Sequence, residues 1–417
     1  MNLSRVRRRV LAAGAALATT LSVTLGVAVM PLAADAKPKA NPPGKPVTVM
    51  SRNIYLGADI QKPVNAAVFA QAQPGATAQT VLVALANQTH ATRAIVDRTD
   101  FTVRADLLAE EIVAAEPDLI GLQEVAWWRH GDLQLQPDQV AVPNAQTTDY
   151  DFLQILLDAL AARGVTYEAV SIAPRADVEA PSFTGSPFNG TIGAGARDVR
   201  LTMRDVVLMH VEDGLSALDE GQAVYDHNLV VPLLGRSISF DRGYQWVDVR
   251  AGSKRFRFVN THLEAFSSDL AFAQAAQLLD EATAEDRTTV LVCDCNSDPL
   301  NSRVKGAPVN DTLPHKAAYE LITGIGSYPG EGDFTDMWLE WAPAEEGWTS
   351  GLSETVDDPD GSDFDHRIDM VFARTADGDP LGVDRGWVTG TTPDTRDPAT
   401  GLWPSDHGGV VLHLRGL

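Results

Sequence analysis

Apolar and polar positions along the chain fall into two recurring patterns. In the first, a short apolar run closes on one or two polar residues. VTVMSRN ends at Asn53, LIGLQEV carries Glu124 at its end, FRFVNTHLE closes on His262, and TTVLVCDCN closes on Asp294 and Asn296. RDVVLMHV, YQWVDVR, RIDMVFAR and GGVVLHL are runs of the same kind. Runs of this length bounded by turn residues predict buried strands. In the second pattern apolar residues recur at helical spacing. FTVRADLLAEEIVAA stops before Pro117, DFLQILLDALAARG is closed by Gly164, and DLAFAQAAQLLDEAT separates two of the strands; each predicts an amphipathic helix. Residues 60–100 are rich in Ala and Gln and show no strand pattern. They are expected to be an insertion, partly helical. There is no internal repeat, and Gly- and Pro-rich loops separate the runs. One large α/β domain over residues 47–417 is the expected organisation, with that insertion inside it.

The N-terminus departs from these patterns. MNLSRVRRR is basic, the following stretch is apolar and rich in small residues, and Ala34-Asp35-Ala36 supplies a small-x-small cut site. Residues 1–36 are therefore expected to be a secretory signal peptide, exported by the general or the twin-arginine route, and the mature protein is expected to be extracellular. A Pro-rich linker, 37–46, follows. The chain carries 33 Lys and Arg against 56 Asp and Glu, a formal net charge of −23. So acidic a surface is repelled by bulk nucleic acid unless a bound cation supplies local positive charge. An exported chain could use disulfides, but its only cysteines, Cys293 and Cys295, lie two apart on an expected strand. Same-face thiols on an extended strand are badly placed to bridge, so two buried small hydrophobes are expected, turned toward a helical layer. Asp294 and Asn296 take the opposite face.

Polar residues at strand ends are the usual raw material of a site. Each has an ordinary explanation alone. Asn53 could close an Asx-turn, His262 could be a satisfied core histidine, and Ser405-Asp406-His407 could be a plain loop. A buried Glu124 needs a partner or a metal. The order is more telling than any member: Asn53, Glu124, Asn260 with His262, Asp294 with Asn296, Asp369, then Asp406 with His407.

That order, in SRNIYLG, LIGLQEV, FVNTHLE, VCDCNSDP, HRIDMVF and PSDHGGVVL, resembles the endonuclease/exonuclease/phosphatase superfamily. The likeness covers nearly all of the mature chain. Where that family usually has Gly-Asp-Phe-Asn this chain has Cys-Asp-Cys-Asn, keeping the acid and the amide. The long separation of Asn53 from Glu124 matches the insertion. The resemblance implies a four-layered α/β sandwich, with two mixed, mainly antiparallel sheets packed face to face and helices outside.

A phosphoester is already anionic, so hydrolysis needs a cation and a positioned water. Asn53 and Glu124 offer hard oxygen ligands for Mg²⁺ or Mn²⁺, and the resemblance adds Asp406 as a third. It also implies catalytic places for His262, Asp294, Asn296, Asp369 and His407. Asp294 would orient or deprotonate the attacking water, the histidines would serve phosphoryl oxygens or move protons, and Asp369 would orient His407. Arg242 and Asn260 are candidates for contact with the substrate phosphate. Asp205 is a looser match, on a strand that carries a polar partner in some relatives. The expected activity is phosphodiester or phosphomonoester hydrolysis, nuclease-like. The alternatives are a sphingomyelinase-like phospholipid phosphodiesterase and a non-catalytic binding module on the same fold. Substrate could be nucleic acid, a phospholipid head group or a small phosphoester. The two tryptophans of AWWRHG, Trp127 and Trp128, could stack a base, meet a membrane interface or simply pack. No obligate protein partner is expected, and the chain is expected to be a monomer.

Overall fold

The structure is a computed structural model that describes residues 46–135, 142–211, 214–283, 287–307 and 309–417. The expected signal peptide and all but the last residue of the linker lie outside the described residues. The elements run β1 (Val47–Asn53), α1 (Gln61–Gln71), α2 (Ala78–Arg98), α3 (Phe101–Ala115), β2 (Leu119–Gln123), β3 (Trp127–Gly131), β4 (Thr147–Asp151), α4 (Phe152–Ala162), β5 (Tyr167–Ser182) and β6 (Arg197–His210). There follow β7 (Leu215–Val224), β8 (Leu229–Leu233), β9 (Arg236–Phe240), β10 (Gly243–Ala251), β11 (Lys254–His262), α5 (Ser268–Glu281), β12 (Thr289–Asp294) and α6 (Ala317–Thr323). The last are β13 (Thr335–Asp336), α7 (Met337–Trp341), β14 (Asp369–Arg374), β15 (Gly382–Thr389) and β16 (Gly409–Arg415). No helix among the described residues is long and apolar enough to cross a membrane.

The strands form two large mixed sheets. One runs β15-β16-β1-β2-β6-β3-β4, with β5 also paired to β6; the other runs β13-β14-β12-β11-β10-β7. Parallel pairing is confined to β1 with β2 and β11 with β12 among these ladders. The buried side chains separate into three apolar layers. Val49, Leu119, Val207 and Leu412 of the first sheet meet Val249, Phe258, Val290, Val292 and Val371 of the second. On the first sheet's other face, Ile120, Leu122 and Val206 meet Ala105, Leu108 and Ile112 of α3 and Leu156 and Leu160 of α4. On the second sheet's other face, Leu291, Cys293 and Met370 meet Ala271, Ala275 and Leu278 of α5 and Ala318 and Ile322 of α6. The result is the helix–sheet–sheet–helix sandwich expected, with period-two alternation sending successive residues of each strand to different layers.

The insertion is more helical than composition suggested. Thr77 and Thr80 form a reciprocal capping box at the start of α2. Ala67 of α1 and Val81 and Leu85 of α2 then pack with Leu233 of the β8–β9 hairpin.

The cysteines correct the sequence expectation. Cys293 and Cys295 are joined in a disulfide, with Cα atoms 5.0 Å apart. An extended strand would hold them about 6.6 Å apart, at about 3.3 Å rise per residue. The strand stops at Asp294, Cys295 donates its backbone N–H to Ile368 O at 2.8 Å, and Asn296 has φ +45°. The chain is already turning, and the turn brings the sulfurs together. Both sulfur-bearing side chains are fully buried on the helical side, as the alternation required.

The sheets approach closely at Gly121. A Cβ there would lie 2.3 Å from Val292 Cγ2 and 2.7 Å from Asn260 Oδ1. Gly121→Val therefore overpacks the seam, and such insertions typically cost about 1–3 kcal/mol. Urea denaturation should show a loss of about 3 kcal/mol; an unchanged midpoint would mean that the seam is looser than drawn.

Candidate active site

Three of the expected residues lie in one row across adjacent strands. The registers place His262 of β11 opposite Asp294 of β12, and Asp294 opposite Asp369 of β14. Each is the next inward position after a seam residue, so the alternation that builds the core delivers them to its rim. His407 joins them from the loop before β16. A cleft of about 310 Å³ opens over this row. Glu124, Arg242, His262, Asp294, Asn296, Asp406 and His407 line it.

Asp294 is the hub. Asn53 Nδ2 donates to its Oδ2 at 2.9 Å, and Asn296 N–H donates to its Oδ1 at 3.1 Å. His262 Nε2 is 3.3 Å and His407 Nε2 3.9 Å from Oδ2. Burial, and then the charge of Asp369, push the Asp294 carboxyl up to about 7. The two histidines differ in kind. Burial and the neighbouring Arg242 guanidinium hold His262 well below the ordinary range, so its ring is neutral near pH 7. Arg242 Nη1 stands 2.7 Å from His262 Nδ1. A guanidinium can only donate, so Nδ1 accepts and the ring proton sits on Nε2, facing Asp294. Burial opposes charging of His407, but Asp369, Asp406 and Asp294 together raise it well above the ordinary value. Its Nδ1 donates to Asp369 Oδ2 at 2.8 Å, which fixes the ring and aims Nε2–H into the cleft.

Glu124 and Asp406 form a separate acidic pair in the same cleft. Burial raises Glu124, and the Asp406 charge raises it further. Burial also raises Asp406, against the pull of His407 and Arg104. Leu56 N–H donates to Glu124 Oε2 at 2.8 Å, which leaves the second oxygen for another partner. Glu124 has φ +60° and Asn296 φ +45°. Such backbone strain in non-glycine residues clusters where a side chain must be aimed. Asp205 supports the first of these by accepting from the Glu124 backbone, and is itself paired with Arg175 at 3.0 Å.

One sequence expectation is corrected. Asn260 does not face a substrate. It is fully buried in the seam, donates to Leu122 O and Val206 O at 3.0 and 3.3 Å, and accepts from Gln123 Nε2 at 2.7 Å. It ties one sheet to the other. Asn53 reaches the site through Asp294. Its Oδ1 accepts from Tyr55 N–H at 2.9 Å while its amide holds Asp294. The tryptophans also resolve: Trp128 is buried and donates to Leu56 O at 2.9 Å, and Arg129 lies 4.0 Å over the Trp127 ring.

Two buried arginines escaped the sequence reasoning. Arg104 of α3 donates to Thr99 O, Ile54 O, Tyr55 O and Pro404 O at 2.8–3.2 Å, joining the loop after β1 to the loop that carries Asp406. Arg52 pairs with Glu111 through two contacts of 3.1 Å and also donates to His407 O. The available signal was faint: Arg104 and Glu111 lie seven apart on α3, on one helical face.

Comparison with known proteins gives a consistent but distant picture. No protein-family model matches the sequence, and no curated protein matches it. The solved structures similar to it are endonuclease/exonuclease/phosphatase proteins. One from Bacteroides thetaiotaomicron is 15% identical, covering 89% of this chain and 98% of its own, at a TM-score of 0.48. One from Beutenbergia cavernae is 20% identical, covering 89% and 72%, at 0.45. A mannosyl-6-phosphatase from B. thetaiotaomicron is 15% identical, covering 88% and 99%, at 0.46.

Removing one partner of a buried ion pair strands the other charge, at about 3–5 kcal/mol. Glu111→Ala should lower urea stability by that much and Glu111→Gln by less, since the amide still accepts from Arg52. Equal, small losses in both would show that the pair does not hold the His407 loop.

Proposed function

We propose that the protein is a secreted hydrolase of phosphoric esters, dependent on a divalent metal, that attacks phosphorus with a water activated at Asp294. The observation that carries this is the convergence on one cleft of a carboxylate, a neutral histidine, a protonated histidine held by its own aspartate, and a separate pair of half-buried acids. Fold likeness alone would not support an activity. A binding module would have no need of so many desolvated ionisable groups in one place.

The chemistry of Glu124 and Asp406 fits a hard divalent ion: two half-buried carboxylates, the Asp406 charge disfavouring ionisation of Glu124, with an uncommitted oxygen on Glu124. Mg²⁺ or Mn²⁺ held there would supply positive charge to a phosphoryl oxygen. Among the described residues the tightest acid–histidine cluster is instead Asp294, Asp369 and His407. A protonated His407 already neutralises that group, so it suits proton handling.

The remaining roles follow from where the protons are. Asp294 takes a proton from water as the water attacks phosphorus. His262 presents Nε2–H beside that carboxylate, and Arg242, also lining the cleft, meets phosphoryl oxygens. His407 donates its Nε2 proton to the departing alkoxide, while Asp369 keeps the ring aligned. No protein nucleophile is required, so no covalent intermediate forms and configuration at phosphorus inverts.

The cleft supports a compact substrate over a long polyanion. Arg242 is its only lysine or arginine, and its wall also carries Asp59, Asp241 and Glu354. Flanking phosphates of nucleic acid want cations there. With both tryptophans committed to packing, no feature favours the phospholipid alternative. Export is supported by the leader-like residues 1–36 and by the closed disulfide, which suits an oxidising compartment.

A panel of bis(p-nitrophenyl) phosphate, p-nitrophenyl phosphate, sugar phosphates, a phospholipid and DNA tests this, each with and without EDTA. Hydrolysis should stop in chelator and return with Mg²⁺ or Mn²⁺; full activity in EDTA would refute the metal. On the best substrate, Asp294→Asn, His262→Ala and His407→Ala should each lower kcat by roughly a hundredfold or more. Their effect on KM should be small. His227→Ala is the control, because that side chain is exposed outside the cleft. If His407→Ala were as mild as His227→Ala, the assigned site would be wrong.

A further inference from the structure

The disulfide closes directly around Asp294. Its two cysteines are the residues immediately before and after the hub of the site, and both are fully buried. They point into the α5–α6 layer, while Asp294 between them points the other way, into the cleft. Strand pairing with His262 and Asp369 holds Asp294 on both sides, and Asn296 Nδ2 donates to Leu263 O at 3.0 Å just beyond the ladder. Leu263 N–H donates to Asp294 O at 3.0 Å and Cys295 N–H donates to Ile368 O at 2.8 Å. After that the chain leaves the ladder through Asn296 at positive φ. Where the ladder ends after Asp294, an unbridged segment could relax toward the extended spacing, about 1.6 Å longer between the Cα atoms than the 5.0 Å seen. That relaxation would rotate the residue in the middle.

We propose that the Cys293–Cys295 disulfide is a positioning device for Asp294, locking the contracted backbone turn that aims its carboxylate between His262 and His407. The bridge spans only one intervening residue, so the loop-closure stabilisation of the whole fold is small; its effect is local and geometric. Displacement of a catalytic group by about 1 Å can cost on the order of a hundredfold in rate. The site is therefore competent in the oxidised protein and impaired in the dithiol. Reduction by dithiothreitol transfers two electrons and two protons to the bridge, giving two thiols and the cyclic disulfide of the reductant. Neither cysteine touches substrate. The kinetic part of this inference rests on the phosphoester reading above.

The test uses the full oxidised chain, the Cys293→Ala/Cys295→Ala double variant, and the wild type reduced with dithiothreitol in mild urea and then re-oxidised. Intact mass with alkylation counts the thiols. On bis(p-nitrophenyl) phosphate, kcat should fall roughly tenfold to a hundredfold in the dithiol and in the variant. KM should change little, the melting temperature should shift little, and kcat should return on re-oxidation. Amide exchange followed on peptides covering 289–300 should speed up in the same two forms, while the strands of the other sheet keep their protection. Unchanged kcat and unchanged exchange in the variant would overturn the proposal, as would two free thiols in fully active protein. If the variant fails to fold, the reduced and re-oxidised wild type decides on the same readouts. An oxidised wild type that hydrolyses no phosphoester sinks the phosphoester reading, and the exchange measurement still decides this one.

Discussion

The face-to-face contact of the two sheets is the constraint on which the site depends. At Gly121 the sheets come so close that a methyl group would collide with Val292 and Asn260. Packing this tight makes partners for polar groups in the seam valuable. The amide groups of Asn260 and Gln123 bond each other and the backbone of the first sheet. One step further along the strands the seam ends, and the next inward residues are His262 and Asp294. They are as buried as the core but face a cleft. Sheet spacing therefore sets the separation between groups from β11, β12 and β14 on one side and from the loops after β1 and before β16 on the other.

Concentrating acids at such a rim is expensive, and the surrounding structure shows how the cost is met. Burial raises Glu124, Asp294 and Asp406, each in a place where water cannot solvate it fully. His407 and Arg242 compensate from within the cleft, and Arg104 compensates Asp406 from behind it. Arg104 and Arg52 spend their donors on backbone carbonyls of the loops that carry Asp406 and His407. Those loops are held rigidly while the cleft keeps only Arg242 for a substrate. The positive φ of Glu124 and of Asn296 belongs to the same balance: local strain is tolerated where neighbouring bonds fix the conformation.

How much of this was legible in the sequence depended on how local the signal was. The strands with continuous apolar runs, such as LIGLQ and TVLVCD, announced themselves because both their faces are buried. Strand β7, with alternating and largely exposed residues, the β8–β9 hairpin and β15 carry no such run, and they pass for loop. The end-of-strand acids and histidines could be collected because alternation fixes which face each takes. The choice between ligand and positioning residue could not be made that way. For Asn260 it turned on which atoms it spends on Leu122, Gln123 and Val206, and those neighbours are distant in sequence. The cysteines misled because the strand was assumed to continue to Cys295, when it ends one residue earlier.

The insertion shows how one reaction centre can be given its own mouth. Asp59 and Ile60, just before α1, and Phe240 and Asp241, at the end of β9, are cleft-lining residues that contribute nothing to the row of His262, Asp294 and Asp369. The elements that carry them are held to each other by the small apolar cluster of Ala67, Val81, Leu85 and Leu233. Glu354 completes this wall, accepting from Asp59 N–H and pairing with Lys62. The wall can therefore vary in shape and charge without disturbing the seam or the rim behind it. Strand ends fixed by sheet packing determine what chemistry is possible, and loops packed on their own core determine which molecule reaches it. The acids of this mouth, Asp59 before α1, Asp241 after β9 and Glu354 in the loop before β14, thus stand on elements separable in the fold from the row of His262, Asp294 and Asp369.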